Sequence, residues 1–303
     1  TLVSSPNSNP TFSSLVDAYD PFDYYRTKGI EAFASTRLFN FTRLRLFYRD
    51  LRDRSVPVVT DYRLFQEDRA HRANPIIADG TLRSVGAQFV FDSRKLYLNK
   101  GRDVRMDDVQ YSRLEAGVEH ASPDLIDNDF DFTKYWVSLF RRQRTLGLGV
   151  TSLRIFAGGS DRDLPPQRYY TFDHGFGSYV LAGGTAVWNL DQETFVGSRA
   201  LSISGRHEFR RRLWTQSGIP LIRDIPFWLS VHGTVFWSDF ENHAAQVGDE
   251  FVRTAGKPYS EIGFGIGNLT PFISPFNLAL YFTKQLSDYD NTRDWTIGLG
   301  LEL

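Results

Sequence analysis

The end of the chain alternates between apolar and polar positions. Within residues 293–303, the apolar positions are Trp295, Ile297, Leu299, Leu301 and Leu303, and threonine, glycine and glutamate stand between them. Side chains of a β-strand point alternately to the two faces of a sheet, so this pattern predicts a strand with one apolar face. A wall that is apolar toward lipid and polar toward a lumen is typical of a transmembrane β-barrel.

The same alternation recurs along the chain and predicts eleven strands. Five follow residue 197, within 201–209, 227–237, 261–267, 275–283 and 293–303. Six precede it, at 29–38, 42–51, 82–92, 109–120, 133–142 and 146–156. The alternation changes phase near Ser152, which predicts a β-bulge there.

An odd number of strands is unusual for a bacterial barrel made from a single chain. We therefore expect an all-β, transmembrane antiparallel β-barrel of about 12 strands over residues 26–303. The additional strand would lie within residues 11–25, or would come from division of a long segment, so residues 1–25 are an N-terminal extension or a first strand. The connection at 268–274 is short, and those at 239–257 and 286–291 are polar and mostly longer, which predicts periplasmic and extracellular rims respectively.

Average composition conceals this pattern. The chain is 41% hydrophobic, its net charge is -1 and its mean hydropathy is -0.33. No stretch approaches the roughly 18 uninterrupted apolar residues of a membrane helix. The aromatic content of 15% suits the aromatic girdles of a barrel. Residues 1–10 lack the basic and apolar regions of a signal peptide, and the near-zero charge gives no reason to expect nucleic acid as a partner.

The longest stretch without clean alternation is residues 158–197. It contains prolines, aromatic residues and several glycines, which indicate a packed loop. A strandless stretch of this length in a compact domain is usually functional or disordered. In a barrel it would be a loop folded into the lumen, an extracellular cap, or a plug.

The order of motifs in this stretch resembles the Omp85 superfamily, whose barrels fold a long loop into the lumen before five closing strands. The matching residues are Leu164, Pro165, Arg168, Tyr169, Gly183, Gly184 and Trp188. The segments at 193–199, 207–209 and 219–222 are similar to surface-antigen-like C-terminal barrels of a Bacteroidetes-type branch, in which a carboxypeptidase-regulatory-like domain precedes the barrel. The resemblance is best over residues 164–303.

One part of the resemblance is missing. The family carries an Arg-Gly pair at the loop tip, and its arginine binds acidic residues of the inner wall, whereas residues 185–189 contain neither arginine nor glycine. The resemblance therefore implies another buried cation. The candidates are Arg168 or Arg199, with Glu208 or Glu261 as the inward-facing acidic partner.

Other clusters of polar residues carry weaker chemical hypotheses. The six histidines lack the spacing of metal ligands, so we expect no metal site and no cofactor. The acidic residues at 124, 127, 129 and 131 would bind calcium or form a solvated turn, and the turn is favoured because the EF-hand order is missing. No nucleophile motif accompanies Ser198 and His207, so we expect no enzymatic activity. Arginine runs at 141–144 and 210–212 would anchor the barrel at the membrane interface or contact an acidic periplasmic partner.

The resemblance implies a function in assembly or secretion of proteins at the bacterial outer membrane. It would use a lateral seam between the first and last strands, marked by Ile30, Ile297, Leu299 and Leu301. The expected partners are outer-membrane lipid and other envelope proteins or client barrel proteins. The alternative is a barrel anchor or structural component of a larger envelope complex, plugged by its long loop. A general diffusion porin is less favoured because the loop would occlude a narrow barrel.

Overall fold

The structure is a computed structural model. It describes residues 24–57, 77–99, 102–105, 110–124, 127–145, 147–172, 187–190, 194–224, 226–240, 252–269, 277–289 and 292–302.

The described chain is almost entirely β-strand. The strands, in chain order, are β1 (Tyr25–Phe39), β2 (Thr42–Ser55), β3 (Gly80–Asp92), β4 (Leu96–Asn99), β5 (Arg102–Arg105), β6 (Tyr111–Ala121), β7 (Phe132–Thr145), β8 (Gly149–Ser160), β9 (Tyr170–Phe172), β10 (Thr194–Gly197), β11 (Arg199–Arg210), β12 (Trp228–Asp239), β13 (Val252–Arg253), β14 (Tyr259–Gly267), β15 (Asn277–Gln285) and β16 (Trp295–Glu302). Two short helices, α1 (Arg212–Gln216) and α2 (Pro220–Arg223), lie between β11 and β12. Neither helix has the length and apolar character needed to cross a bilayer, and the described residues contain no other candidate.

Among the described residues, eleven strands form one antiparallel wall in the order β1-β2-β3-β6-β7-β8-β11-β12-β14-β15-β16. All eleven strands that the alternation predicts are present in this wall, and their order along the chain is confirmed. Within the described residues, β1 pairs with β2 alone and β16 with β15 alone, so both are edges. The region proposed for an additional strand, residues 11–25, lies almost wholly outside the described residues, and that strand stays a prediction.

The two faces of the wall have opposite chemistry. Apolar side chains such as Val231, Ile262 and Ile297 are exposed on the outer face. Polar side chains such as Ser230 and Thr283 are buried on the inner face. An apolar outside around a polar inside is the distribution of a protein that contacts lipid. The predicted fold class, an all-β transmembrane antiparallel barrel, is confirmed.

The bulge predicted near Ser152 is wrong. Strand β8 pairs without a register shift with both β7 and β11. The apparent change of phase arises because Val150 and Phe156 are apolar residues that are buried on the inner face. Register shifts occur elsewhere, between Thr36 and Phe39 in β1 and between Glu208 and Arg210 in β11.

The connections divide between two rims. The first rim carries the turn at 40–41 and the connections that follow β7 and β14. It also carries two longer connections, which hold the β4–β5 hairpin and helices α1 and α2. The second rim carries the connections after β2, β6, β8, β12 and β15. Both predicted arginine runs lie at the first rim, where Arg212 donates a hydrogen bond to the carbonyl of Gly147. The sidedness of the rims in a membrane stays a prediction.

Candidate functional site

The segment between β8 and β11 folds back against the inner face of the wall. We call its described parts, residues 161–172, 187–190 and 194–198, the lumen segment. Pro165 precedes a 3-10 turn over Pro166–Arg168. Strands β9 and β10 follow and pair antiparallel with each other, and β10 pairs parallel with β13. The stretch predicted to have no strands thus contains two short ones, which pair outside the wall.

Aromatic rings hold the lumen segment to the wall. The ring of Phe172 stacks on Phe236 of β12 with centroids 4.5 Å apart. Phe195 packs edge-on against Phe236 at 5.3 Å, and the ring of Tyr259 of β14 stacks on Phe236 at 4.8 Å. Leu164 and Tyr169 are buried in the same cluster. Burial of large aromatic side chains is a main source of packing energy, so the segment is a folded part of the barrel.

Close approach of the segment requires glycine at one position of β8. A methyl group added to Gly158 would lie 2.5 Å from Cζ of Tyr170, which is shorter than any ordinary contact. The hydroxyl of Tyr170 donates to the carbonyls of Tyr135 at 2.7 Å and Gly159 at 3.2 Å. Burial raises the pKa of Tyr169 to about 12, and burial also raises the pKa of Tyr170. Both phenols therefore stay neutral, and the Tyr170 hydroxyl remains a hydrogen-bond donor.

The first attachment of the segment is to β2 and β7. Nη2 of Arg168 lies 3.6 Å from Oδ2 of Asp53, a fully buried carboxylate of β2. The side-chain amide of Gln167 donates to the same oxygen at 3.4 Å. Nζ of Lys134, on β7, donates to the carbonyl of Arg168 at 2.6 Å. These contacts fix the turn at 166–168 against the first half of the wall.

The second attachment is to Glu261 of β14, which is 2% exposed. The backbone amide of Trp188 donates to its Oε1 at 2.9 Å. The backbone amide and side-chain amide of Asn189 donate to Oε2 at 3.1 and 3.3 Å, and the hydroxyl of Tyr259 donates at 3.1 Å. A buried carboxylate that accepts several hydrogen bonds is well satisfied without a cation. Amide groups and a phenol thus bind Glu261, one of the two acids for which an arginine partner is predicted.

Trp188 extends this attachment to the last strands. Its ring lies 4.9 Å from the ring of Tyr281 and 5.6 Å from that of His232. A side chain at Gly298 of β16 would overlap the Trp188 ring. The carbonyl of Asn189 accepts a hydrogen bond from the amide of Arg293 at 2.9 Å. The segment therefore covers the inner face as far as the β16 edge.

The remaining predicted residues lie apart from this attachment. Glu208 faces Arg206 at 3.4 Å and Arg142 at 3.9 Å. Arg199 is the first residue of β11, in register with Asp239 of β12. Gly183 and Gly184 lie outside the described residues. The substitution of Arg168 or Arg199 for the loop-tip arginine stays a prediction. The structure pairs Arg168 with Asp53, which is not one of the predicted acidic partners.

The seam residues lie on the two edge strands. Ile30 of β1 is 70% exposed and Ile297 of β16 is 63% exposed, and Leu299 and Leu301 belong to β16. Every residue of β1 is exposed, including Phe33, which shares the inner face with its partner Phe47. The lumen segment thus leaves the inner face of β1 open while it covers that of β16 at Gly298.

Three of the four acidic residues at 124, 127, 129 and 131 form ion pairs or hydrogen bonds with neighbouring groups. Asp127 lies 3.5 Å from Nη1 of Arg83, and Asp131 forms an ion pair with Arg162. Oδ2 of Asp129 accepts from the amide of Thr81 at 2.6 Å. Among the described residues, no group of three or more potential ligands is arranged to hold a metal ion.

Comparison with known proteins supports the fold. No family model and no curated protein matches the chain. Its fold is similar to that of BamA from Haemophilus ducreyi lacking POTRA domains 1–3, with a TM-score of 0.51 and 11% sequence identity. The match covers 91% of this chain and 53% of the BamA chain. CdiB from Acinetobacter baumannii also matches, with 11% identity, coverage of 91% and 42%, and a TM-score of 0.46. A third match is Pseudomonas aeruginosa OccK7 (OpdD), with 10% identity, coverage of 93% and 70%, and a TM-score of 0.33. The chain thus spans about half or less of the CdiB and BamA chains.

Proposed function

We propose that this chain is an Omp85-type barrel of the bacterial outer membrane that takes part in the assembly or secretion of other proteins. The fold likeness to BamA supports this proposal. So does the order of elements, in which a long segment packed in the lumen precedes the five closing strands β11, β12, β14, β15 and β16. Assignment to the Bacteroidetes-type branch, with a further domain ahead of the barrel, is part of the same proposal.

The observation that carries the proposal is the edge at β1. This strand is exposed along its whole length, and its pairing within the described residues is with β2 alone. An edge strand presents a row of backbone donors and acceptors that can template another strand. We infer that a client strand would pair with this edge near Ile30, in exchange with β16. Lipid on the outer face and client barrel proteins at the seam are the proposed partners.

A second candidate function is a plugged, passive anchor of a larger envelope complex. The two attachments at Asp53 and Glu261 favour it, because they hold the lumen segment to the wall at two separate points, Arg168 and Trp188. Neither candidate involves a catalytic group in the barrel.

Reversible locking of the seam distinguishes the two candidates. The chain has no cysteine, so paired cysteines introduced on β1 around Ile30 and on β16 around Leu299 would be the only thiols. The double variants would be expressed in native membranes, oxidised or reduced, and assembly of other outer-membrane proteins would be followed. The assembly function predicts that oxidation blocks assembly and that reduction restores it.

The matched control locks a pair that is already joined. Phe264 of β14 and Phe282 of β15 are in register with stacked rings 4.9 Å apart, so cysteines there would crosslink two neighbours without touching the seam. Oxidation of this control should leave assembly unchanged. If the locked seam is equally harmless, the assembly function is refuted and the anchor is favoured.

A further inference from the structure

A single buried carboxylate joins the lumen segment to the β1 edge. Asp53 of β2 is fully buried and lies opposite Thr27 of β1 in the register. Its Oδ1 accepts a hydrogen bond from the Thr27 hydroxyl at 2.7 Å. Its Oδ2 faces the lumen segment, where the side-chain amide of Gln167 donates at 3.4 Å and Nη2 of Arg168 lies at 3.6 Å. The two oxygens of one side chain therefore bind two different parts of the chain.

The register of the wall determines which neighbours can bind Asp53. Asp53 has Thr27 on one side and Gly80 of β3 on the other. Gly80 carries no side chain that could donate, so Thr27 is the register partner that supplies a side-chain donor. The turn of the lumen segment is also positioned by other contacts, because the side-chain amide of Gln167 donates to the carbonyl of Ala78 at 2.9 Å. The turn thus presents its donors to Asp53 from a fixed position.

The middle of β1 is held by a different set of contacts, which come from the wall strands. Glu31 of β1 forms ion pairs with Arg45 and Arg49 of β2, and its Oε2 lies 2.9 Å from Nε of Arg49. Nη1 of Arg49 also lies 3.0 Å from Oε2 of Glu119 on β6. A change at Asp53 should therefore act on the second-rim end of β1, residues 25–29, and leave the middle of the strand in place.

We propose that Asp53 couples the lumen segment to the β1 edge, so that release of the turn at 166–168 loosens the second-rim end of β1. A hydrogen bond to a buried carboxylate is stronger when its other partners keep the carboxylate oriented and away from water. Without the turn, water of the lumen reaches Asp53 and competes with the Thr27 hydroxyl. The inference rests on the proposed function in one respect: the loosened end is where the seam would open to a client strand, and the lumen segment would regulate that opening.

Hydrogen exchange of the full chain in detergent micelles tests the coupling in both directions. Arg168→Gln should accelerate exchange of the peptide at 25–30 about tenfold, which lies within the usual range of coupling between two sites. Thr27→Val keeps the shape of the side chain but removes the hydroxyl. It should accelerate exchange of the peptide at 166–170 by the same factor, because coupling between two sites is reciprocal. Thr27→Ser retains the hydroxyl and should exchange there like the wild type.

The matched control is Arg142→Gln, which removes an inward arginine that lies 3.9 Å from Glu208 near the first rim. Exchange of the β14 peptide should stay unchanged in every variant, which separates the coupling from a general loss of stability. The coupling is overturned if Arg168→Gln accelerates exchange in β1 no more than Arg142→Gln does, or if Thr27→Val leaves exchange of the turn unchanged. Because Thr27 lies on the exposed edge strand, the second comparison decides the question by itself if Arg168→Gln does not fold.

The proposed function is judged separately by the locked seam. If the coupling is measured and the locked seam is harmless, the assembly function fails and the coupling stands as a property of the barrel. If the locked seam blocks assembly and the coupling is absent, the assembly function stands without regulation by the lumen segment.

Discussion

Replacing Glu261 with glutamine tests how the lumen segment is held. The Glu261 carboxylate is buried and accepts hydrogen bonds from two backbone amides, one side-chain amide and one phenol. Glutamine keeps the shape of the side chain, but it removes the charge and turns one acceptor into a donor. At least one of the amides of Trp188 and Asn189 then faces another donor.

The magnitude follows from the number of donors left without an acceptor. Each buried donor that loses its partner costs about 1–3 kcal/mol. Glu261→Gln leaves one or two donors unsatisfied, so we expect the attachment to weaken by about 2 kcal/mol. Glu261→Ala removes all acceptors, but the side chains of Tyr259 and Asn189 can turn toward other partners, so we expect about 4 kcal/mol.

Hydrogen exchange of the peptide that contains Trp188 and Asn189 measures this loss directly. A weakening of about 2 kcal/mol accelerates exchange through local opening about 30-fold, and about 4 kcal/mol accelerates it about 1,000-fold. Glu208→Gln is the matched control, because Glu208 also faces inward but contacts Arg206 and Arg142 of the wall. Equal exchange at 188 and 189 in Glu261→Gln and Glu208→Gln would refute the role of Glu261.

Two further predictions concern the first attachment and the response to alkali. Asp53→Asn leaves Arg168 without its buried carboxylate and should lower the free energy of unfolding by about 2 kcal/mol in urea titrations. The control Asp50→Asn loses a more exposed pair with Arg83 and should change the free energy of unfolding by about 0.5 kcal/mol or less. Equal losses in the two variants would contradict the attachment. Burial raises the pKa of Tyr169 from 10.0 to about 12, so its contribution to stability is complete below pH 10 and is lost as the pH rises toward 12. Tyr169→Phe should therefore reduce the fall of the urea midpoint over this range, and an unchanged pH profile would argue against a buried phenol.

The wall is predictable from the sequence because its two faces contact different solvents. Strand β14 shows this, since exposed Ile262 and Phe264 alternate with Glu261, Gly263 and Gly265 of the inner face. Strand β8 shows where the rule fails. Phe156 faces inward and packs against Tyr170 at 5.5 Å, so part of the lumen is itself apolar and the alternation changes phase.

The attachments of the lumen segment are harder to predict, since backbone groups make many of them. The inward phase of β14 identifies Glu261 as a buried acid, and the resemblance implies an arginine as its partner. The donors are instead the amides of Trp188 and Asn189, and every residue other than proline offers such a donor. The inward orientation of Asp53 is predictable from the sequence, because Asp53 continues the inward phase of β2 beyond Leu51. It also lies close to the connection at the second rim.

The two attachments also bear on whether a barrel with a filled lumen can serve as an assembly surface. Asp53 and Glu261 lie on β2 and β14, so the segment ties together strands that are separated by six others in the sheet. Both edge strands, β1 and β16, lie outside the strands that the two attachments connect, and they differ in how far their inner faces are covered. Trp188 covers the inner face of β16 at Gly298. Strand β1 is exposed on both faces, and its Thr27 hydroxyl donates a hydrogen bond to Asp53 at 2.7 Å. On the proposed function, β1 is therefore the strand that would move away from β16 to admit a client strand. The lumen segment would keep the rest of the wall in place.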